Sequence, residues 1–89
     1  MESRADFRER EGLILSQCRL ESGLSQEYVA RQMDVNIRTV RNWEDGLSPI
    51  RNDDLLMWFT VCKQSPWRWL QRIWMPSAFS DTDTPNWTD

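Results

Sequence analysis

The chain has 89 residues, of which 39% are hydrophobic, with 11 basic and 14 acidic side chains and a formal net charge of −3. A chain of this length supports one hydrophobic core, and its apolar content is too high for a wholly disordered protein. No apolar run approaches the ~20 residues of a membrane span, and the charged N-terminus lacks the apolar stretch of a secretory signal, so we expect a cytoplasmic protein without a membrane segment.

The residues that are missing exclude most catalytic chemistry. There is no histidine, so Ser-His-Asp and Cys-His arrangements lack an imidazole base. Cys18 and Cys62 are too few for a structural zinc site, and their apolar helical surroundings indicate reduced core thiols. Three glycines cannot form a phosphate-cradling loop. We therefore predict that the protein is not an enzyme and that it needs no metal or cofactor.

The excess negative charge lies at the C-terminal end. Residues 75–89 contain three aspartates and no basic residue, whereas residues 1–74 have equal numbers of acidic and basic side chains. The acidic pI, near 4.9, therefore does not exclude a nucleic-acid ligand for the rest of the chain. We expect a charged N-terminal segment (1–12), a folded domain (13–74) and a flexible acidic tail (75–89) whose aromatic residues leave docking onto another surface open.

The first helix is expected over roughly residues 12–21. Apolar residues recur three and four positions apart throughout the chain, and alternating β-branched runs are absent, so the domain is predicted to be all-α. Asp6 followed by Glu9 resembles a capping box and leaves an earlier start of this helix open. Gly23 is expected to end it.

A second and a third helix follow, joined by a very short turn at Asp34. Ser25 is a typical N-cap for the second helix, QEYVARQM. Asn36 plays the same part for the third helix, IRTVRNWED, and Gly46 is expected to close that helix in a left-handed conformation.

The pattern around this turn predicts two helices packed at a steep angle. Ala30 is small enough to let the two backbones approach. The inner faces are apolar: Val29, Met33, Val35, Val40 and Trp43. Such a unit projects the outer face of its second helix away from the core. That face carries Ile37, Arg38, Arg41 and Asn42. An ordinary helical hairpin with a solvated outer face has the same spacing, so the turn alone does not identify a function.

Two further helices complete the domain. The fourth is predicted to begin near Asn52 or Asp53 and to continue through LLMWFTVC, and the fifth opens with Ser65 as N-cap and Pro66 at its first position. The fifth helix carries an apolar stripe at helical spacing: Trp67, Leu70, Ile73 and Trp74. This spacing favours a core or dimer interface over a stacking platform for single-stranded bases.

An apolar stripe on the last helix exceeds what so small a core needs. We therefore expect a homodimer, with contacts from three residues of that helix: Trp67, Leu70 and Trp74.

The sequence resembles the phage repressor and Cro (XRE class) family of helix-turn-helix proteins over about residues 13–72. The motifs that carry the resemblance are Leu24-Ser25-Gln26, Val29-Ala30, Trp43-Glu44 with Gly46, and Arg19 seven residues before Gln26. The resemblance implies a compact five-helix, lambda-repressor-like domain, with Trp69 at an apolar core position. It also implies a buried ion pair between Arg19 and Glu44, and a buried charge is tolerated only when it is paired.

The resemblance makes the third helix, about residues 37–44, the recognition helix in the major groove of double-stranded DNA. The family's base-contacting positions are occupied by Gln26, Ile37, Arg38 and Asn42. Arginine suits guanine, asparagine suits adenine, and isoleucine suits the thymine methyl group. Arg41 and Arg51 are expected on phosphates, which set the register without reading sequence. A dimer of this class reads a palindromic operator whose half-sites lie ~34 Å apart.

Some residues depart from the family pattern. Asp34 stands where the family has a turn glycine, and it must adopt or avoid a positive φ. Asp45 replaces an asparagine that touches phosphate, and Ile37 and Ile50 are expected to be exposed.

We predict a sequence-specific transcriptional regulator of phage or mobile-element type. The alternative is an antitoxin-like or anti-repressor module that binds a partner protein rather than DNA. It is favoured by the acidic tail together with Asp45, Ile37 and Ile50.

Overall fold

The computed structural model describes residues 3–74, so the predicted tail and the side chain of Trp74 lie outside the described part. Five helices and no strand form that part: α1 (Arg4–Glu21), α2 (Gln26–Met33), α3 (Ile37–Glu44), α4 (Asn52–Cys62) and α5 (Pro66–Trp74). The predicted all-α, five-helix architecture is confirmed.

α1 begins earlier than the apolar pattern predicts. Its N-cap is Ser3, whose side-chain oxygen accepts the backbone N–H of Asp6 at 3.1 Å. The capping box predicted from Asp6 and Glu9 is therefore wrong, because the serine three residues before Asp6 takes the capping position. The predicted boundary after residue 12 falls inside this helix.

The predicted caps of α2 and α3 are confirmed. The hydroxyl of Ser25 accepts the backbone N–H of Tyr28 at 3.0 Å, and the side-chain oxygen of Asn36 accepts that of Arg38 at 2.8 Å. Asp34 ends α2 in the left-handed region, with φ 57° and ψ 45°. Asp tolerates this conformation better than most residues, so the short turn forms without the family's glycine. Gly46 follows α3 with φ +73°, as predicted.

The core lies between all five helices. Its buried apolar members are Ile14, Leu15, Cys18, Val29, Ala30, Met33, Val40, Trp43, Ile50, Leu55, Trp58, Phe59, Cys62, Trp69 and Ile73. Cys18 and Cys62 are both buried free thiols, as expected. The hydrogen bond between them and burial raise the pKa of Cys18, so this thiol stays neutral.

The predicted exposure of two isoleucines is wrong. Ile50, just before α4, is only 7% exposed and belongs to the core. Ile37, at the start of α3, is half-buried and packs against the same core. Both side chains therefore contribute apolar burial that sequence spacing alone assigned to the solvent.

α5 buries only part of the predicted stripe. Trp69 is 1% exposed and Ile73 is fully buried, whereas Trp67 is 71% exposed and Leu70 is half-buried. The indole N–H of Trp69 donates to the side-chain oxygen of Gln64 at 3.3 Å, which allows this large polar-tipped ring to be buried. A core position for Trp67 is thus excluded, while Trp69 takes the predicted family position.

Two polar contacts show that α5 runs antiparallel to α1. The guanidinium of Arg10, in the first half of α1, donates to the backbone oxygen of Ile73 at 2.6 Å. At the opposite ends of the two helices, Arg68 donates to the carboxylate of Glu21 at 3.2 Å. α1 therefore lies beside α5 along one flank and beside α3 along another.

Candidate nucleic-acid interface

A buried ion pair fixes α3 to α1. Arg19 Nε lies 2.6 Å from Glu44 Oε2, and Arg19 Nη2 lies 3.0 Å from Glu44 Oε1, so the pair is bidentate. The third guanidinium nitrogen, Nη1, donates to the backbone oxygen of Leu24 at 2.8 Å. Arg19 and Glu44 are 9% and 8% exposed, which confirms the predicted buried pair. Arg19 thus joins the end of α3 to the segment that leads into α2.

A close backbone contact accompanies this pair. A Cβ added at Gly12 would lie 2.7 Å from the backbone oxygen of Trp43 and closer still to that of Glu44. α1 and the end of α3 therefore touch backbone to backbone, which only glycine permits here. An isolated glycine within a helical pattern is a signal for such a packing role, but the sequence did not indicate its partner.

Gln26 extends the ion pair toward the outer surface. Its Nε2 donates to Glu44 Oε1 at 2.9 Å, and its Oε1 accepts Arg41 Nε at 3.5 Å. The side-chain amide is thus held by two neighbouring side chains rather than projecting alone. The predicted site residues Gln26 and Arg41 lie together, and both connect to the buried carboxylate.

The outer face of α3 presents the other predicted contacts. Arg38 and Arg41 are exposed and Asn42 is half-buried, and their spacing of three and four residues gives them a shared helix face. Within residues 3–74, the side chains of Arg38 and Asn42 have no hydrogen-bond or ion-pair partner. Their donors and acceptors are therefore available to a ligand. Ile37 differs from Arg38 and Asn42 on the same helix, because core packing takes part of its side chain.

Arg51 stands at the N-cap of α4, beyond the loop that follows α3. Its guanidinium Nε lies 3.6 Å from Asp53 Oδ1, and both side chains are more than 70% exposed. An ion pair this exposed contributes little to stability, so the Arg51 guanidinium can leave Asp53 and bind another anion. Asp45, the C-cap of α3, is also exposed.

The described residues were also searched for a metal site and for a membrane-spanning helix. No group of three or more His, Cys, Asp or Glu side chains in that part is placed to hold a metal ion. None of its helices is long and apolar enough to cross a membrane.

Comparisons with known proteins agree with this geometry. Residues 15–66 match the model of a family described as helix-turn-helix. The clp gene regulator ClgR from C. glutamicum has a similar solved structure, with a TM-score of 0.72 and 17% identity over 85% of this chain and 96% of that chain. A point mutant of the restriction-modification controller protein C.Esp1396I has the same score and identity over 91% of this chain and 100% of that chain. No curated protein sequence matches significantly.

Proposed function

The chain belongs to the XRE-class helix-turn-helix family of DNA-binding transcriptional regulators, and we propose that it is a sequence-specific regulator that inserts α3 into the major groove of double-stranded DNA. The observation that carries this proposal is the unpartnered pair Arg38 and Asn42 on the outer face of a helix that a buried ion pair fixes in place. Arg38 is assigned to guanine and Asn42 to adenine. Ile37 and Gln26 border this pair.

Phosphate contacts complete the proposed interface. Arg41 lies on the same helix face as Arg38, and Arg51 lies at the start of α4. We assign both guanidinium groups to phosphates on either side of the bases that Arg38 and Asn42 read. Arginine forms bidentate contacts with phosphate, which set the register on the duplex. The phage or mobile-element type and the palindromic operator also belong to this proposal, and they rest on the resemblance of the motifs. The cytoplasmic location belongs to it as well, since it is where a bacterial regulator would meet DNA.

Selection of bound duplexes from a random pool tests the proposal. We expect one sequence to be enriched, and log affinity for it to fall with log salt by ~0.9 for each phosphate neutralised. Arg38→Ala should relax the preference at one base pair and weaken binding by ~1–3 kcal/mol, whereas Arg51→Ala should weaken all sequences alike. Arg68→Ala on α5 is the matched control, because it removes an exposed arginine away from α3.

The rival function is a module that binds a partner protein through the same fold. It loses two supporting observations, because Ile50 is part of the core and Ile37 is half-buried against it. Exposed Asp45 still favours it, since a carboxylate at that position repels phosphate. Recovery of a stoichiometric protein partner, together with no duplex selected at low salt, would contradict DNA binding and favour this rival.

A further inference from the structure

The surface where α5 packs along α1 carries two arginines whose guanidinium groups stand over one buried ring. The guanidinium carbons of Arg68 and Arg72 lie 5.2 and 4.8 Å from the centroid of the Trp69 ring, which belongs to a side chain only 1% exposed. The fixed ring attracts both positive charges and limits the directions in which the two side chains point. The surface therefore presents two cations at defined places, about one helical turn apart.

These two cations are not neutralised within residues 3–74. Arg68 lies 3.2 Å from the carboxylate of Glu21, but the two side chains are 52% and 45% exposed, and an ion pair so open to water contributes little to stability. Arg72 has no hydrogen-bond or ion-pair partner among the described residues. An acidic segment can therefore bind here without displacing a strong contact.

Two exposed leucines of α1 border the arginines. Leu13 and Leu20 are 55% and 64% exposed, and their separation of seven residues places them on the same face of α1. Leu20 directly precedes Glu21, the residue that Arg68 contacts. The apolar and the basic side chains therefore form one continuous surface.

The order of these side chains follows from the antiparallel packing of the two helices. Leu13 lies about one turn after Arg10, whose guanidinium donates to the backbone oxygen of Ile73, and Arg72 directly precedes Ile73. This surface, the α1–α5 flank, therefore presents in order from the end of α5 an apolar side chain, two cations and a second apolar side chain: Leu13, Arg72, Arg68 and Leu20.

The chain itself continues from this end of α5 with the complementary order. Residues 75–89 contain no basic residue, and they follow Trp74 directly. The five steps from Trp74 to Phe79 span up to ~17 Å in an extended chain, which is sufficient to turn back to Leu13. Beyond that point an aromatic ring, two carboxylates and a second ring follow one another: Phe79, Asp81, Asp83 and Trp87.

The spacing of the opposite charges also matches. In an extended segment, residues two positions apart point to the same side and lie ~6.6 Å apart. Asp81 and Asp83 have this separation. Arg68 and Arg72 are four residues apart on a helix, which corresponds to ~6 Å along its axis. Each aspartate can therefore meet one arginine, in the order Asp81 with Arg72 and Asp83 with Arg68.

We propose that residues 75–89 dock on the α1–α5 flank of the same chain, with the two aromatic rings on the exposed leucines and the two aspartates between them on the arginines. In this position the negative charge is held on the α5 side of α1, whereas α3 lies along the other side. The aspartates are thereby kept away from the proposed DNA surface. This consequence rests on the proposed function, but the docking does not.

NMR of the full chain, with labelled leucine methyl groups, tests the docking directly. In the parent, we expect nuclear Overhauser contacts between the Phe79 ring and the Leu13 methyl groups, and between the Trp87 ring and the Leu20 methyl groups. Their intensity should not vary with protein concentration, because the segment and its site belong to one chain.

Substitutions within the acidic segment test the ion pairs. The double variant Asp81→Asn with Asp83→Asn should shift the Nε–H resonance of Arg72 and abolish the ring contact at Leu13. Asp89→Asn is the matched control, because it removes an aspartate of the same segment that faces no arginine of the flank. Its spectrum should keep the parental contacts.

An exchange of charges tests the pairing from the other side. Arg72→Glu should abolish the ring contact at Leu13, and the further substitution Asp81→Arg should restore it. Arg31→Glu, on α2, is the control for the loss of an exposed arginine and should leave the contact unchanged. If Arg72→Glu does not fold, the asparagine variants still decide the matter, because they change no residue of the five helices.

The contrary outcomes are distinct. Absence of both ring contacts in the parent overturns the proposal, as does their persistence when both aspartates are replaced. Contacts that grow stronger with protein concentration would place the segment on a second copy and overturn docking within one chain. A response to Asp89→Asn as large as that to the double variant would contradict the assigned pairs. None of these results depends on DNA binding, which the Arg38→Ala selection tests separately.

Discussion

Gln26 Oε1 accepts Arg41 Nε at 3.5 Å, and this contact joins the first residue of α2 to the outer face of α3. Through its Nε2, the same amide reaches Glu44, the carboxylate that pairs with Arg19 in the interior. A chain of side chains therefore runs from the buried pair to the proposed DNA surface. The orientation of Arg41 depends on it, because a long exposed side chain otherwise samples many rotamers.

Substitution of Gln26 should reveal this connection. Gln26→Ala removes both hydrogen bonds. Each bond contributes ~0.5–1.5 kcal/mol, so the free energy of unfolding, measured by urea denaturation, should fall by no more than the sum of the two. Gln26→Glu should cost more, because it places a second carboxylate beside Glu44. Gln17→Ala, on the exposed face of α1, is the control and should be neutral. Equal stability of both Gln26 variants would contradict the contact with Glu44.

Removal of one partner from the buried ion pair should be severely destabilising. Arg19→Met leaves Glu44 charged and unpaired in the interior, at a cost of ~3–5 kcal/mol in the free energy of unfolding. The double variant Arg19→Met with Glu44→Leu should recover much of that loss, since no buried charge remains. Glu21→Ala, which breaks the exposed pair with Arg68, should cost no more than ~1 kcal/mol. A similar small cost for Arg19→Met would mean that water reaches Glu44.

Gly12→Ala should destabilise the domain although alanine is the better helix former by ~1 kcal/mol. The added Cβ meets backbone oxygens of Trp43 and Glu44, which cannot move aside as a flexible side chain can. Overpacking of this kind costs ~1–3 kcal/mol, and the rigid neighbours favour the upper end. Ser16→Ala, on the same helix, is the comparison by thermal unfolding. A Gly12→Ala variant as stable as the parent would show that α1 and α3 can separate.

The sequence predicts well those features that depend only on residues a few positions apart, such as helix caps and helix ends. Ser25 and Asn36 cap their helices through bonds to residues two or three positions later, so the local pattern is sufficient. Gly46 follows α3 with a left-handed backbone, which is also a local property, whereas the sequence left the conformation of Asp34 open. The Arg19–Glu44 pair is long-range, and only the resemblance of the motifs made it predictable.

The parts that were mispredicted depend on neighbours distant in sequence. Trp67 and Trp69 are equally apolar, and the choice of which one faces inward is made by α1, α4 and the acceptor on Gln64. Ile50 follows a proline in a loop, where no periodicity indicates burial. Glu11 lies in a charged stretch that resembles a solvated helix face, yet it is only 7% exposed, and the loop after α3 packs against this part of α1.

Stability should depend on pH through Glu11. Its folded-state pKa is raised above the ordinary value of 4.5, chiefly by burial, so the folded state binds this proton more tightly than the unfolded state. The contribution of Glu11 is fully present below the unfolded pKa and is lost as pH rises through the folded pKa. The stability advantage of Glu11→Gln over the parent should therefore grow across that window and level off above it. A difference that does not vary with pH, in denaturation series of both proteins, would contradict the desolvation of Glu11.

Trp67 should hold two copies of the chain together through α5. A tryptophan that is 71% exposed buries a large apolar surface if a second copy covers it, and half-buried Leu70, one turn later, extends that surface. Trp67→Ser should therefore shift the chain from dimer to monomer in sedimentation equilibrium, and it should weaken binding to a two-half-site duplex more than to a single half-site. Leu20→Ser is the matched control, because Leu20 is 64% exposed but lies on α1. A parent that sediments as a monomer at concentrations where it binds DNA would exclude the dimer, whereas loss of dimer with Leu20→Ser instead would move the interface to α1.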